Sequence, residues 1–251
     1  MTTRILLFVA GLVLASSAAW AETSIKLMAN TSPPYADAKL PEQGLALELV
    51  RHVFSRTNHS PDITIENWSR AIEGAELGVY DGLASVWYTD ERNENLHFSE
   101  PYISSKLIIV KLRARRGGLR NVQDLAGRRL GVRSDYAYGI DFESIPNLTL
   151  VKENHLIQNL LNLLNGSVDI VIGDQRTMAM QINEYLGDQR SKFEVIKQEL
   201  PRRERHVALH RDIAAHKEVI ADFNKALAEA RSDGSYDAII NKWDERYGGI
   251  K

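Results

Sequence analysis

The strongest constraint on the fold is an alternation of strand and helix patterns that runs twice and then ends on helices alone. Residues 25–28 (IKLM) read as an opening strand, closed at Thr31-Ser32-Pro33-Pro34-Tyr35, where the prolines forbid a helix. Gly44 precedes LALELVRHVFSRT, whose apolar Leu45, Leu49, Val50, Val53 and Phe54 fit one buried helical stripe. Residues 63–65 are a second strand, residues 68–77 a second helix stopped by Gly78, and residues 81–86 a third strand. Strand, helix, strand, helix, strand is the pattern of a parallel α/β sheet.

The alternation then restarts. A β-rich run at residues 107–112 (LIIVKL) leads through a basic turn, RARRGG, into a second α/β unit. This unit has a short helix at 121–127, a strand at 129–132, a helix over HLIQNLLNLLN stopped by Gly166, and strands at 168–172 and 193–196. Residues 206–209 read as a strand returning to the first unit. The chain closes on two amphipathic helices broken at Asp233-Gly234. Those helices have no sheet of their own and must dock back on the first unit. The expected architecture is therefore α/β with two lobes, each a sheet flanked by helices, joined by two strand crossings near residues 109–113 and 205–209. Lobe 1 takes residues 22–110 plus 206–251, and lobe 2 takes residues 111–205. A ligand site between lobes follows from such a hinge.

The first 21 residues belong to neither lobe. Arg4 gives a basic start, residues 5–15 are almost wholly apolar, and Ala19-Trp20-Ala21 supplies small residues where a signal peptidase reads. The apolar run is short of the ~20 residues that cross a bilayer, so a cleavable signal peptide is expected, cut after Ala21, with delivery to the periplasm. The chain has 31 Lys and Arg against 33 Asp and Glu, a near balance that argues against a polyanion binder. It has no Cys, which excludes thiolate metal sites, Cys nucleophiles and lipid attachment. Its 7 His show no ligand spacing. No metal or other cofactor is expected.

Residues 81–102, DGLASVWYTDERNENLHFSEPY, carry the chemistry. A Thr-x-x-Arg turn, Thr89 and Arg92, is followed six residues later by FSEPY. With Ser32-Pro33-Pro34-Tyr35, Tyr80-Asp81-Gly82, Asp124-Leu125-Ala126-Gly127, Gly166-Ser167-Val168-Asp169 and Asp233-Gly234-Ser235-Tyr236 in the same order, the chain resembles the family 3 periplasmic solute-binding proteins. These include the lysine/arginine-, histidine- and glutamine-binding proteins of bacterial ABC importers. The resemblance covers nearly all of the chain after the leader and implies the type II periplasmic-binding-protein fold.

The resemblance also implies roles. Arg92 would clamp a ligand carboxylate, for which the two parallel donors of a guanidinium are matched. Asp174, from the second lobe, would receive the ligand's ammonium; as a residue opening a helix, Asp also reads as an N-cap. Tyr35, Ser85 and Thr89 would complete the site. The chain departs from the family pattern in three places: Trp87-Tyr88 stand before the Thr, Arg133 to Gly139 replace a Gly-Thr/Ser turn, and Ser32 stands where an aromatic is common. The expected site is accordingly more aromatic, with Trp68, Trp87 and Tyr136 among its walls. Arg70, on a helix face, reads as a solvated cation.

The resemblance implies a monomeric, non-enzymatic protein that captures a small polar, amino-acid-like or carboxylated solute and hands it to an inner-membrane ABC permease, with no nucleic-acid partner. Two alternatives share the fold: an orphan binder serving a membrane sensor, and an enzyme of the cyclohexadienyl-dehydratase kind using Glu100 or Asp174 as an acid.

Overall fold

The computed structural model describes residues 23–67, 70, 73–74, 77–115, 117–134 and 136–250. The expected leader and Trp68 lie outside the described residues. Among the described residues no helix is long and apolar enough to cross a membrane.

The strands in chain order are β1 (Thr23–Asn30), β2 (His59–Glu66), β3 (Gly82–Trp87), β4 (Leu96–Phe98), β5 (Ile103–Leu112), β6 (Arg129–Arg133), β7 (Thr149–Glu153), β8 (Ile170–Asp174), β9 (Phe193–Ile196) and β10 (Arg202–His210). The helices are α1 (Leu45–Phe54), α2 (Asp90–Asn95), α3 (Leu156–Asn165), α4 (Gln175–Met180), α5 (His216–Ser232) and α6 (Ser235–Tyr247). The strands join in the order β2-β1-β3-β10-β5-β8-β6-β7, with β4 paired to β10 and β9 to β5. β1 is parallel to both β2 and β3, and β6 is parallel to both β7 and β8, as the two alternating patterns predict.

Two strands cross between the halves. β5 is a single strand of 10 residues. Ile103 to Lys106 pair antiparallel with β10, and from Leu107 onward the same strand pairs with β8. β10 likewise pairs with β5 through Arg202 to Arg205 and with β3 from Arg205 to Leu209. The chain has the two lobes that the alternation implies and the type II architecture that the family resemblance implies.

Each lobe is closed by apolar packing. In the first, the α1 stripe lies with Leu27, Ala29, Tyr102, Phe223 and Trp243 in one buried cluster. In the second, Leu156, Leu160 and Leu163 of α3 cover one sheet face and Leu125, Leu130, Ile170 and Ile172 fill the other. α3 ends at Gly166, whose φ of 82° is a left-handed conformation that glycine adopts without a Cβ penalty. α6 docks on the first lobe, with Trp243 Nε1 donating to Glu48 Oε2 at 2.8 Å. It also reaches the second lobe. Arg176 of α4 donates to both carboxylate oxygens of Asp244, at 2.5 and 2.9 Å, and the Tyr247 hydroxyl donates to Glu184 at 2.7 Å.

Candidate functional site

The loop after β1 turns through Pro33 and Pro34, joined by a cis peptide, and leads into Tyr35. Tyr35 is 0% exposed and donates its hydroxyl to Asp174 Oδ2 at 2.8 Å. Asp174 is the last residue of β8 and the N-cap of α4, its Oδ1 accepting the Thr177 N–H at 3.0 Å. The cap reading holds for this carboxylate, which is 4% exposed and lines a pocket with Ser104, Arg176 and Asp244. Burial, then the neighbouring Asp174 charge, pushes the Tyr35 phenol well above its usual pKa, so it remains a donor throughout the neutral range.

β3 is buried from end to end and delivers Ser85 and Trp87. Thr89 then caps α2, its hydroxyl accepting the Arg92 N–H at 3.1 Å. That cap fixes the first turn of α2, and Arg92 folds back to donate from Nη1 to the Trp87 carbonyl at 2.8 Å. Thr89 therefore acts through Arg92. Trp87 is 5% exposed and leaves its own lobe: its ring packs with Leu107, Ile109 and Leu130 and sits edge-on to Tyr136 at 5.0 Å between centroids. Tyr136 is held by Arg133, whose guanidinium lies 4.3 Å from the ring centroid and donates to the hydroxyl at 2.5 Å.

Arg92, Ser85, Trp87 and Tyr136 line one cavity of about 20 Å³, together with Asn30 and Arg205. A space that size takes about one water, so its lining must part to admit a solute. Arg205 was not singled out from the sequence, although it marks an expected crossing. It is 3% exposed, donates to Ser105 Oγ and Ser85 Oγ, each at 3.2 Å, and stacks 3.7 Å from the Tyr35 ring centroid. A second, wider pocket of about 270 Å³ lies between Thr31, Pro33 and Asp37 of the first lobe and Arg133, His155 and Gln181 of the second.

Other expectations fall away from this centre. Arg70 is exposed and lies 3.6 Å from Glu66, as a solvated helix-face arginine should. Glu100, a candidate acid, is exposed, and its N–H donates to Asn224 on the outside of the first lobe. The FSEPY segment is a support: Tyr102 is fully buried and donates to the Ala84 carbonyl at 2.8 Å, bracing β3 behind Ser85. Among the described residues no cluster of three or more His, Asp or Glu could hold a metal ion.

Known proteins match this architecture along nearly its whole length. A probable histidine-binding protein of Campylobacter jejuni is 28% identical over 232 residues, which cover 89% of this chain and 87% of the relative. An ancestral arginine-binding protein solved with arginine superimposes with a TM-score of 0.73 at 20% identity, covering 89% of this chain and 99% of that one. A histidine kinase sensor domain with similarity to periplasmic binding proteins gives a TM-score of 0.73 at 20% identity, covering 89% of this chain and 96% of that one. The family model for bacterial extracellular solute-binding proteins, family 3, matches residues 26–246, from the first strand through the last helix, and the chain belongs to that family.

Proposed function

We propose that this protein is a periplasmic solute-binding protein that captures a small carboxylate-bearing, amino-acid-like solute between its lobes and delivers it to an ABC permease, without chemistry on the solute. One observation carries the reading: groups from both halves of the chain converge on one buried cavity. Ser85, Trp87 and Arg92 of the first half and Tyr136 of the second line it, with Trp87 edge-on to Tyr136; the Tyr35–Asp174 hydrogen bond joins the halves outside that lining. A solute seated there touches both halves only when they are closed, so it shifts the population toward closure. The names of amino-acid-binding relatives support the solute class. On this reading residues 1–21 are a signal peptide cut after Ala21, the lobes are residues 22–110 with 206–251 and residues 111–205, and the mature protein is a monomer. Ser85, Thr89, Tyr35 and Tyr136 shape the site, Arg92 binds the carboxylate, and Asp174 faces the solute from the second lobe.

The test is a thermal-shift screen of the mature chain against amino acids, polyamines, aromatic acids and dicarboxylates. A true solute at 100 times its Kd adds about 2.7 kcal/mol to stability, a rise of several degrees. Arg92→Ala should abolish that rise for carboxylated solutes, costing about 2–5 kcal/mol of binding. A rise that survives Arg92→Ala unchanged would remove Arg92 from the site.

A further inference from the structure

We propose that the cavity selects a solute with two carboxylate groups, the second of them bound by Arg205. The proposal rests on the reading of this cavity as the solute site and names what that site discriminates. Arg205 is a buried cation whose partners are two serine hydroxyls and the faces of Tyr35 and Trp87, at 3.7 and 5.5 Å. Hydroxyls and rings solvate a guanidinium without neutralising it. Among the described residues no carboxylate is ion-paired with Arg205, whereas Arg176, nearby on α4, is closed off by Asp244. A guanidinium cannot shed its proton, and a buried charge without a counter-charge is strongly unfavourable. The missing counter-charge is best supplied by the solute.

The surroundings carry the same sign. Arg92 and Arg205 both line the cavity, and among the described residues no acid lines it. Two further arginines stand at the aromatic pair: Arg203, 5.8 Å from the Trp87 ring centroid, and Arg133 on Tyr136. The chain as a whole carries a formal charge of −2, so this concentration of cations is local. The Trp87 indole N–H is buried with no acceptor among the described residues. Asp174 already has both oxygens engaged, by Tyr35 and by the α4 cap. The balance of donors over acceptors favours an anion. A solute with a cationic side chain would add a charge where two guanidiniums already stand.

Two kinds of solute share this chemistry, acidic amino acids and plain dicarboxylic acids. Calorimetric titration of the mature protein with L-glutamate, L-aspartate, glutarate, succinate, L-glutamine, L-histidine and L-arginine separates them. The expected result is a dicarboxylate bound about 30-fold or more tighter than glutamine, its neutral isostere. Glutamate against glutarate then tells whether the ammonium is also read. Arg205→Gln should erase the preference by weakening the dicarboxylate far more than glutamine, and Arg205→Lys should keep part of it. Glutamine, histidine or arginine bound as tightly as glutamate by the wild-type protein would overturn the proposal and leave solute binding intact. Unchanged dicarboxylate affinity in Arg205→Gln would also overturn it. No binding by any member of the panel would overturn both this proposal and the solute-binding reading. The wild-type comparison of glutamate with glutamine requires no variant, so it decides the matter even where Arg205→Gln fails to fold.

Discussion

The Tyr35 hydroxyl donates to Asp174 Oδ2 at 2.8 Å, joining residues 139 positions apart from opposite sides of the cleft. Both partners are buried, so the bond acts as a latch on the closed form. Tyr35→Phe removes the donor and leaves a buried carboxylate oxygen unsatisfied, a loss of about 1–3 kcal/mol. The expected outcome is a lower urea midpoint and, by small-angle scattering without solute, a larger radius of gyration. An unchanged radius would mean that the lobes are held by other contacts, with Arg176–Asp244 the first to suspect.

Asp174→Asn separates the two duties of that side chain. Asparagine caps helices about as well as aspartate, so α4 should keep its first turn, while an amide NH2 replaces the oxygen that accepts from Tyr35. The negative charge is lost. Solutes that carry an ammonium should weaken, and their deaminated analogues should not. The measurement is the ratio of glutamate to glutarate affinity in the two proteins. A ratio that does not move would confine Asp174 to cap and latch.

Acid stability reports on the second lobe. Asp169 accepts from the Arg129 backbone N–H at 2.9 Å and from its guanidinium at 3.2 and 2.8 Å, with Arg115 on the other side. The Arg129 side-chain hydrogen bonds are the largest cause holding this carboxyl at about 2, below its ordinary range. Because the folded value lies below the unfolded one, the group contributes stability above about pH 4 that is lost as the pH falls toward 2. Asp169→Asn should lower the urea midpoint at neutral pH, and the gap to wild type should close between about pH 4 and 2. A gap that stays constant with pH would assign the effect to packing.

Much of the scaffold was legible because its elements carry local signals. The strand at residues 193–196 holds the β-formers Phe193, Val195 and Ile196 and forms with those bounds. Gly166 and Asp233-Gly234 mark helix ends, and both stops hold. β4 and β7 were not anticipated. Leu96–Phe98 has only three residues, and Thr149–Glu153 is a half-exposed edge strand that mixes charges with its apolar residues. The change of partner in β5 falls between Lys106 and Leu107, a few residues before the expected crossing, because no Gly or Pro interrupts that strand to mark it.

The site divides the same way. Arg92, Ser85 and Trp87 were found through their motif, and the structure gathers them at one cavity with Tyr136. Arg205 escaped because arginine is ordinarily exposed, and nothing within RRERHVALH distinguishes the one that turns inward. Nor does any local pattern pair Tyr35 with Asp174. Such contacts are set by how the two halves meet, which lies beyond the reach of periodicity.

The continuity of β5 and β10 also limits how the halves can move. Their crossing segments are hydrogen-bonded to each other, Ile103 to Arg205 through Lys106 to Arg202. Sliding one past the other by a single residue would turn every side chain to the opposite face. Travel along the ribbon is therefore blocked, and only flexing and twisting remain. The motion is that of a leaf spring clamped at both ends: each closure brings the same tyrosine back to the same aspartate, and alignment is stored in the backbone and need not be found anew each time.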